Sequence, residues 1–216
     1  MNKMIGAVAV LTSASVAMAG GDSEEMQSFD FSFPLSPGSV QMEFDQFDDM
    51  GGTRILKEVR LSIDATLIAD ATAENDSELA APLFELQYNG SMQYELLSLS
   101  GADLNNASMG AALAATDGVA GSGPDFNDFG TVMLGLADND STTTGLAGFI
   151  GNGMIFGDLD ALGGFSFSGT TDASLGFDNF GLSGKATLVY VYNVVPAPGA
   201  AALFGLAGLS AARRRR

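Results

Sequence analysis

The groups able to do chemistry in this chain are almost all carboxylates: 26 Asp and Glu stand against nine Lys and Arg, and there is neither Cys nor His. Asp158 and Asp160 are the most suggestive pair, since two acids flanking a glycosidic bond can act as general acid and base. An acidic chain scatters such pairs widely, so spacing alone does not make them catalytic. Asp125-Phe126-Asn127-Asp128-Phe129-Gly130 opens like a calcium loop. Phe129 takes a ligand position, however, and Leu136 stands where the bidentate Glu belongs, which excludes an EF-hand. A looser calcium site from Asp125, Asn127 and Asp128, or from Asp138 and Asp140, is the alternative to a reading of these residues as solvated turns. No other cofactor is indicated. The missing His excludes Ser-His-Asp and Cys-His machinery and imidazole zinc sites; the missing Cys excludes disulfides, thiolate nucleophiles and sulfur-rich metal sites.

The elements that must position these acids show a period of two. Val59, Leu61, Ile63, Ala65 and Leu67 alternate with Arg60, Ser62, Asp64 and Thr66, which predicts a strand with one buried and one wet face. Phe29, Phe31 and Phe33 alternate likewise, as do Val40, Met42 and Phe44. Leu188, Tyr190 and Tyr192 face one way with Val189 and Val191 on the other, as in a strand covered on both sides. Asn89-Gly90 lies between two apolar runs, Leu83 to Tyr88 and Met92 to Leu99, and predicts a hairpin. A two-residue turn would set Leu86 opposite Gln93; a three-residue loop of Asn89, Gly90 and Ser91 pairs Tyr88 with Met92, Leu86 with Tyr94 and Phe84 with Leu96, and is preferred.

Elsewhere the pattern is looser. Leu104 to Gly130 reads as a long connection with a short helix through Ala107 to Ala115, capped by Asn105 or Asn106. Gly157 to Gly181 reads as short strands whose Phe165, Phe167, Phe177 and Phe180 plug a core. The Asn-x-Ser sequences at Asn75, Asn89, Asn106 and Asn139 are expected to mark turns. The resulting expectation is all-β: a single, jelly-roll-like β-sandwich domain over residues 20–194, with no second domain.

Both ends carry processing signals. Lys3 precedes an apolar stretch from Met4 to Val16, and Ala17-Met18-Ala19 supplies the small residues that signal peptidase needs, so residues 1–19 read as a signal peptide. At the other end, residues 195–216 join Val195-Pro196-Ala197-Pro198-Gly199 to an apolar run from Ala200 to Ala212 and then to Arg213, Arg214, Arg215 and Arg216. This tail resembles the PEP-CTERM class of bacterial sorting signals, which implies an exosortase-like processing enzyme in the inner membrane. Ala197 stands where that family carries an acid, and which sorting enzyme accepts it stays open. As a helix the 14 residues from Gly199 to Ala212 would span roughly 21 Å, short of a hydrocarbon core of about 30 Å, which suits a transient membrane stop. A second resemblance is carried by Phe47-Asp48-Asp49-Met50-Gly51-Gly52-Thr53, by the strand opening at Leu56 and Val59, and by the closing Val189-Tyr190-Val191-Tyr192. It is similar to the choice-of-anchor E domains of exported bacterial proteins, with Asp49 where Pro often follows the Phe-Asp pair. Gly51 and Gly52 permit a sharp turn there, and Asp48 can hydrogen-bond its backbone.

Without the two ends, Arg54, Lys57, Arg60 and Lys185 remain against 26 acids, a net charge of −22. Such a surface repels nucleic acid and suits either plain solubility or divalent-cation bridging to acidic matrix polymers. The expectation is an exported, non-catalytic bacterial surface or extracellular-matrix protein. Its partners are signal peptidase, an exosortase-like protease, the inner membrane and extracellular polysaccharide, met by a sandwich face or by end loops. The alternative is a secreted carboxylate-dependent polysaccharide hydrolase. That reading needs two acids converging in an apolar-walled cleft, with one pKa raised.

Overall fold

A computed structural model describes residues 8–9, 21–35 and 38–195; the calls on Ala17, Ala19, Pro196 to Gly199 and Arg213 to Arg216 lie outside the described residues. The chain forms β1 (Val8–Ala9), β2 (Ser23–Pro34), β3 (Gly38–Asp45), β4 (Arg54–Asn75), β5 (Ala81–Leu96), β6 (Leu99–Leu113), β7 (Phe126–Thr142), β8 (Met154–Ser168) and β9 (Ala173–Val194). They pair antiparallel into two sheets, sheet A in the order β1-β2-β9-β4-β7 and sheet B in the order β3-β8-β5-β6. The architecture is all-β, a two-sheet sandwich. From β2 onward every connection except β5 to β6 passes from one sheet to the other. A single 3-10 turn, Leu146–Phe149, interrupts the strands; among the described residues no helix is long and apolar enough to cross a membrane.

The alternating segments form the core as their periodicity requires. Val59, Leu61, Ile63, Ala65 and Leu67 all point inward from β4, and Phe29, Phe31 and Phe33 do so from β2. Met42 and Phe44 are buried on β3. Leu188 and Tyr190 are buried on β9, with Val191 buried on its other side and Val189 half-buried. Phe165, Phe167, Phe177 and Phe180 do pack against the core, half-buried, with the rings of Phe165 and Phe177 stacked 3.6 Å apart.

Asn89-Gly90 is not a turn. β5 runs unbroken through it, with Asn89 opposite Asn106 on one side and Gly164 on the other. The predicted partners of Phe84, Leu86 and Tyr88 are therefore replaced by Ala111, Met109 and Ala107 of β6. The physical reason lies across the sandwich. Gly90 pairs with Gly163, and a Cβ on either would come within 2.9 Å of Leu67 Cδ1; on Gly163 it would also meet the Phe180 ring. Two adjacent glycines thus open a gap in the inner face of sheet B that Leu67 and Phe180 of sheet A fill. The real hairpin turns at Leu97-Ser98, with Leu96 opposite Leu99 and Leu97 at φ 55, an uncommon conformation for a bulky residue.

Three further expectations are corrected. The predicted helix over Ala107 to Ala115 is mostly strand β6, because small residues at alternate positions suit a tightly packed edge as well as they suit a helix. Gly157 to Gly181 is not a set of short strands but most of β8 and the opening of β9, both long. Asn75, Asn89, Asn106 and Asn139 all lie in strands rather than turns. The Phe47 to Thr53 motif does form its sharp turn. Met50, Gly51 and Gly52 take φ of 50, 68 and 84, and Asp48 Oδ1 accepts from Met50 N at 2.8 Å.

Gly90→Leu should overpack this junction and cost about 1–3 kcal/mol in urea denaturation, whereas Leu67→Ala should leave a cavity and cost about 2–5 kcal/mol. A Gly90→Leu variant of wild-type stability would contradict the close approach.

Candidate functional site

The polar positions of sheet B line up in rows on its outer face. One row runs Ser39, Asp160, Gln93, Ala102 across all four strands, and the next runs Gln41, Asp158, Glu95, Ser100. On the other side of the first row, Leu162, Ser91 and Leu104 lie abreast. Leu162 and Leu104 are exposed, 55% and 71%, so the face offers two apolar contacts beside a row of hydroxyl, amide and carboxylate groups. The first row and the Leu162-Ser91-Leu104 row together line a groove of about 790 Å³, while Asp158, Glu95 and Ser100 of the other row border a neighbouring depression. Its chemistry suits a ligand rich in hydroxyl groups with an apolar flank. Glu85, further along β5, is held below the usual carboxylate range by donors from Ser108, Gln87 and Ser168.

Asp158 and Asp160 project from this open face, both exposed, two residues apart on one strand. Both border an open depression, and among the described residues no apolar-walled cleft closes over them. Ser39, Ser91 and Gln93 were not singled out from sequence. The signal for them is the alternation Glu85, Gln87, Asn89, Ser91, Gln93, Glu95, which continues unbroken through the misleading Asn-Gly pair.

One end of the sandwich carries a knot of buried polar groups. Asn75, fully buried, donates to Leu79 O at 2.9 Å and Ala114 O at 2.6 Å, and accepts from Thr170 Oγ1 at 2.6 Å. Its neighbour Glu74 accepts from Gly121 N at 2.8 Å. Asp125 is also fully buried and accepts from Asp117 N at 2.8 Å through Oδ2. Asn127 and Asp128 leave this knot along β7, where Asp128 Oδ1 accepts from Gly130 N at 2.7 Å beside a bulge. Asp125 is thus committed to the buried knot, whereas Asn127 and Asp128 belong to β7.

Asp138 and Asp140 sit on the inward face near the end of β7, where the edge strands β6 and β7 come together. Asp140 Oδ2 accepts from Ser100 N at 3.0 Å, and Asp103 Oδ2 from Ala137 N at 2.9 Å. Asp138 packs against Gly101 and the Tyr94 hydroxyl. Inward carboxylates spent on the neighbouring edge in this way close it against further strand pairing. Among the described residues no three acids are grouped to hold a metal. The opposite flank is closed by Gln27, whose side chain both donates to and accepts from the Asp45 backbone at 3.1 and 2.8 Å. Tyr190 OH donates to Asp45 O at 2.8 Å.

Charge is divided between the sheets. All four cations of the described residues lie on β4 and β9 and are ion-paired there: Arg54 with Glu25, Lys57 with Asp22, Arg60 with Glu24 and Glu58, Lys185 with Asp30. Arg54 also stacks between Phe47 and Tyr192, its guanidinium carbon 4.3 and 4.0 Å from the ring centres. The strands of sheet B carry acids and no cation.

No family model matches the chain, and no curated protein matches it. Among solved structures it is similar to that of the infectious bursal disease virus Gt strain at 12% identity, covering 90% of this chain and 42% of that one, with a TM-score of 0.22. The Gx strain structure gives 10%, 88%, 48% and 0.21. The chain spans less than half the length of each. At such scores the likeness carries no argument, and the two-sheet architecture rests on the strand pairing itself.

Burial first, then the nearby Glu25 and Asp45 charges, push the Tyr190 phenol above its ordinary range; burial, then Asp138, does the same for Tyr94. The folded state thus favours both neutral phenols. Their stabilising effect is complete below the unfolded value of 10.0 and is lost as pH rises above it. Urea midpoints should fall between about pH 9 and about pH 11, and less steeply in Tyr190→Phe, which loses about 1 kcal/mol at neutral pH with its hydrogen bond. Equal slopes in the two proteins would refute this assignment.

Proposed function

We propose that this chain is an exported, non-catalytic bacterial surface or extracellular-matrix protein. In this reading signal peptidase removes residues 1–19. The tail from Val195 holds the folded module at the inner membrane until an exosortase-like enzyme cuts near Pro196 to Gly199. The sandwich is of jelly-roll type, supported by its eight principal strands in the orders β2-β9-β4-β7 and β3-β8-β5-β6. The resemblances to PEP-CTERM tails and choice-of-anchor E domains belong to the same reading. The observation that carries it is the junction at Val195. β9 ends at Val194, Val195 N donates to Thr53 O at 2.8 Å, and the Pro-Ala-Pro-Gly motif follows at once.

Polysaccharide contact is assigned to the outer groove of sheet B, where Ser39, Gln93 and Asp160 offer donors and acceptors beside Leu104 and Leu162. The exposed placement of Asp158 and Asp160 on the open outer face of one strand favours binding over glycoside hydrolysis.

Intact mass of the cell-surface form tests the route. The expected species lacks residues 1–19 and everything after the Pro196 to Gly199 segment; material that keeps Arg213 to Arg216 would overturn it. Gln93→Ala with Asp160→Asn should weaken retention on extracellular polysaccharide about tenfold, equivalent to about 1.4 kcal/mol, without altering the processed mass pattern. Undiminished retention would remove the groove from the account.

A further inference from the structure

We infer that the end loop between β6 and β7 is a divalent-cation site of the calcium class, built on Asp117 and Asp125. Asp125 is fully buried, and its Oδ1 has no hydrogen-bond partner. A buried carboxylate oxygen left without a donor is costly, so the arrangement calls for a compensating group. That oxygen is aimed at a second carboxylate. A Cβ built on Gly123 would lie 2.8 Å from Asp125 Oδ1 and closer still to Asp117 Oδ2, so both oxygens converge on one small region beside the Gly123 backbone.

No cation of the described protein answers this pair. Arg54, Lys57, Arg60 and Lys185 are all committed to ion pairs with residues 22–58. Two like charges directed at one point, one of them out of solvent, are the arrangement a divalent ion stabilises. The framework around them is fixed. Asp125 O accepts from Asn75 N at 2.9 Å, Asp125 Oδ2 from Asp117 N at 2.8 Å, and Asp117 Oδ1 from Val119 N at 2.8 Å. One oxygen of each carboxylate is thereby held by backbone, leaving Asp125 Oδ1 and Asp117 Oδ2 to face each other's side. Asp117 is exposed, which gives an ion a way in.

Calcium takes six to eight oxygens and accepts backbone carbonyls and water among them, whereas magnesium demands a stricter octahedron. No third acid joins the pair among the described residues, so the loop backbone and water complete the shell. A low ligand charge places the affinity in the extracellular class, with a Kd of about 10⁻⁴–10⁻³ M. Sequence grouped Asp125 with Asn127 and Asp128; the structure pairs it with Asp117 instead. The ion would tie the loop to the end of β4 through Asn75 and Asp125.

The test is an amide NMR titration of the isotope-labelled full-length protein with calcium chloride. The expected result is a saturable shift confined to residues 114–126 and to Glu74 and Asn75, half-complete at about 10⁻⁴–10⁻³ M. Asp117→Asn keeps the acceptor for Val119 N and the exposed position, so it folds; it should weaken the response by about tenfold, whereas Asp128→Asn should leave it intact. A non-saturating drift spread over the acidic surface, a response unchanged in Asp117→Asn, or no response would each overturn the site.

Discussion

The close approach of the two sheets at Gly90 and Gly163 is the constraint on which the rest of the molecule depends. Leu67 and Phe180 of sheet A fill the space those glycines leave, and Leu134 and Leu136 lie within 3.5 Å of where a Gly90 Cβ would stand. Interiors pack at crystal-like density, so this junction sets the separation of the sheets. It also sets register. Because side chains alternate along a strand, fixing Gly90 inward turns Asn89, Ser91, Gln93 and Glu95 outward, and their neighbours on β6 and β8 follow. The polar rows of the groove are thus a consequence of a packing decision made on the opposite face.

With no disulfide and, among the described residues, no helix beyond one 3-10 turn, the sandwich is closed at its flanks by polar side chains. Gln27 and Tyr190 fasten one flank through Asp45, while Asp103 and Asp140 fasten the other through backbone amides. Acids that looked like loose ligands are in part these fasteners. The few cations are drawn to sheet A, where Arg54 joins Phe47 and Tyr192 to Glu25 and locks the turn that opens β4. Sheet B and the end loops are left with uncompensated negative charge. That asymmetry is the electrostatic basis for the contacts proposed above with polar polymers and divalent ions.

Much of this was legible in the residues themselves. The inward runs on β2, β3 and β4 follow directly from period-two alternation, and the turn at Gly51 and Gly52 follows from their tolerance of positive φ. Most of the departures share one cause. Local pattern reads Gly and Ala as breaks or helix, whereas here they are small inward or edge residues of long strands whose bulky counterparts sit on the other sheet. Asn89-Gly90 is a strong local hairpin signal overridden by a tertiary contact with Leu67, and Leu97-Ser98 turns the chain without the Gly, Asn or Asp that mark tight hairpins. The pairing of Asp117 with Asp125 was hidden for a different reason. It depends on the Gly123 backbone conformation and on the burial of one carboxylate, neither of which spacing reveals.

Amide hydrogen exchange along β5 is the most direct test of the central claim, that this strand runs unbroken across Gly90 with its polar side chains on one face. β5 lies inside sheet B between β6 and β8, so the amides from Tyr88 to Met92 are predicted to exchange only on opening of the sandwich, as slowly as those of Leu86 and Tyr94. Exchange of Asn89, Gly90 and Ser91 at the rate of an exposed loop would contradict the register, and with it the polar groove.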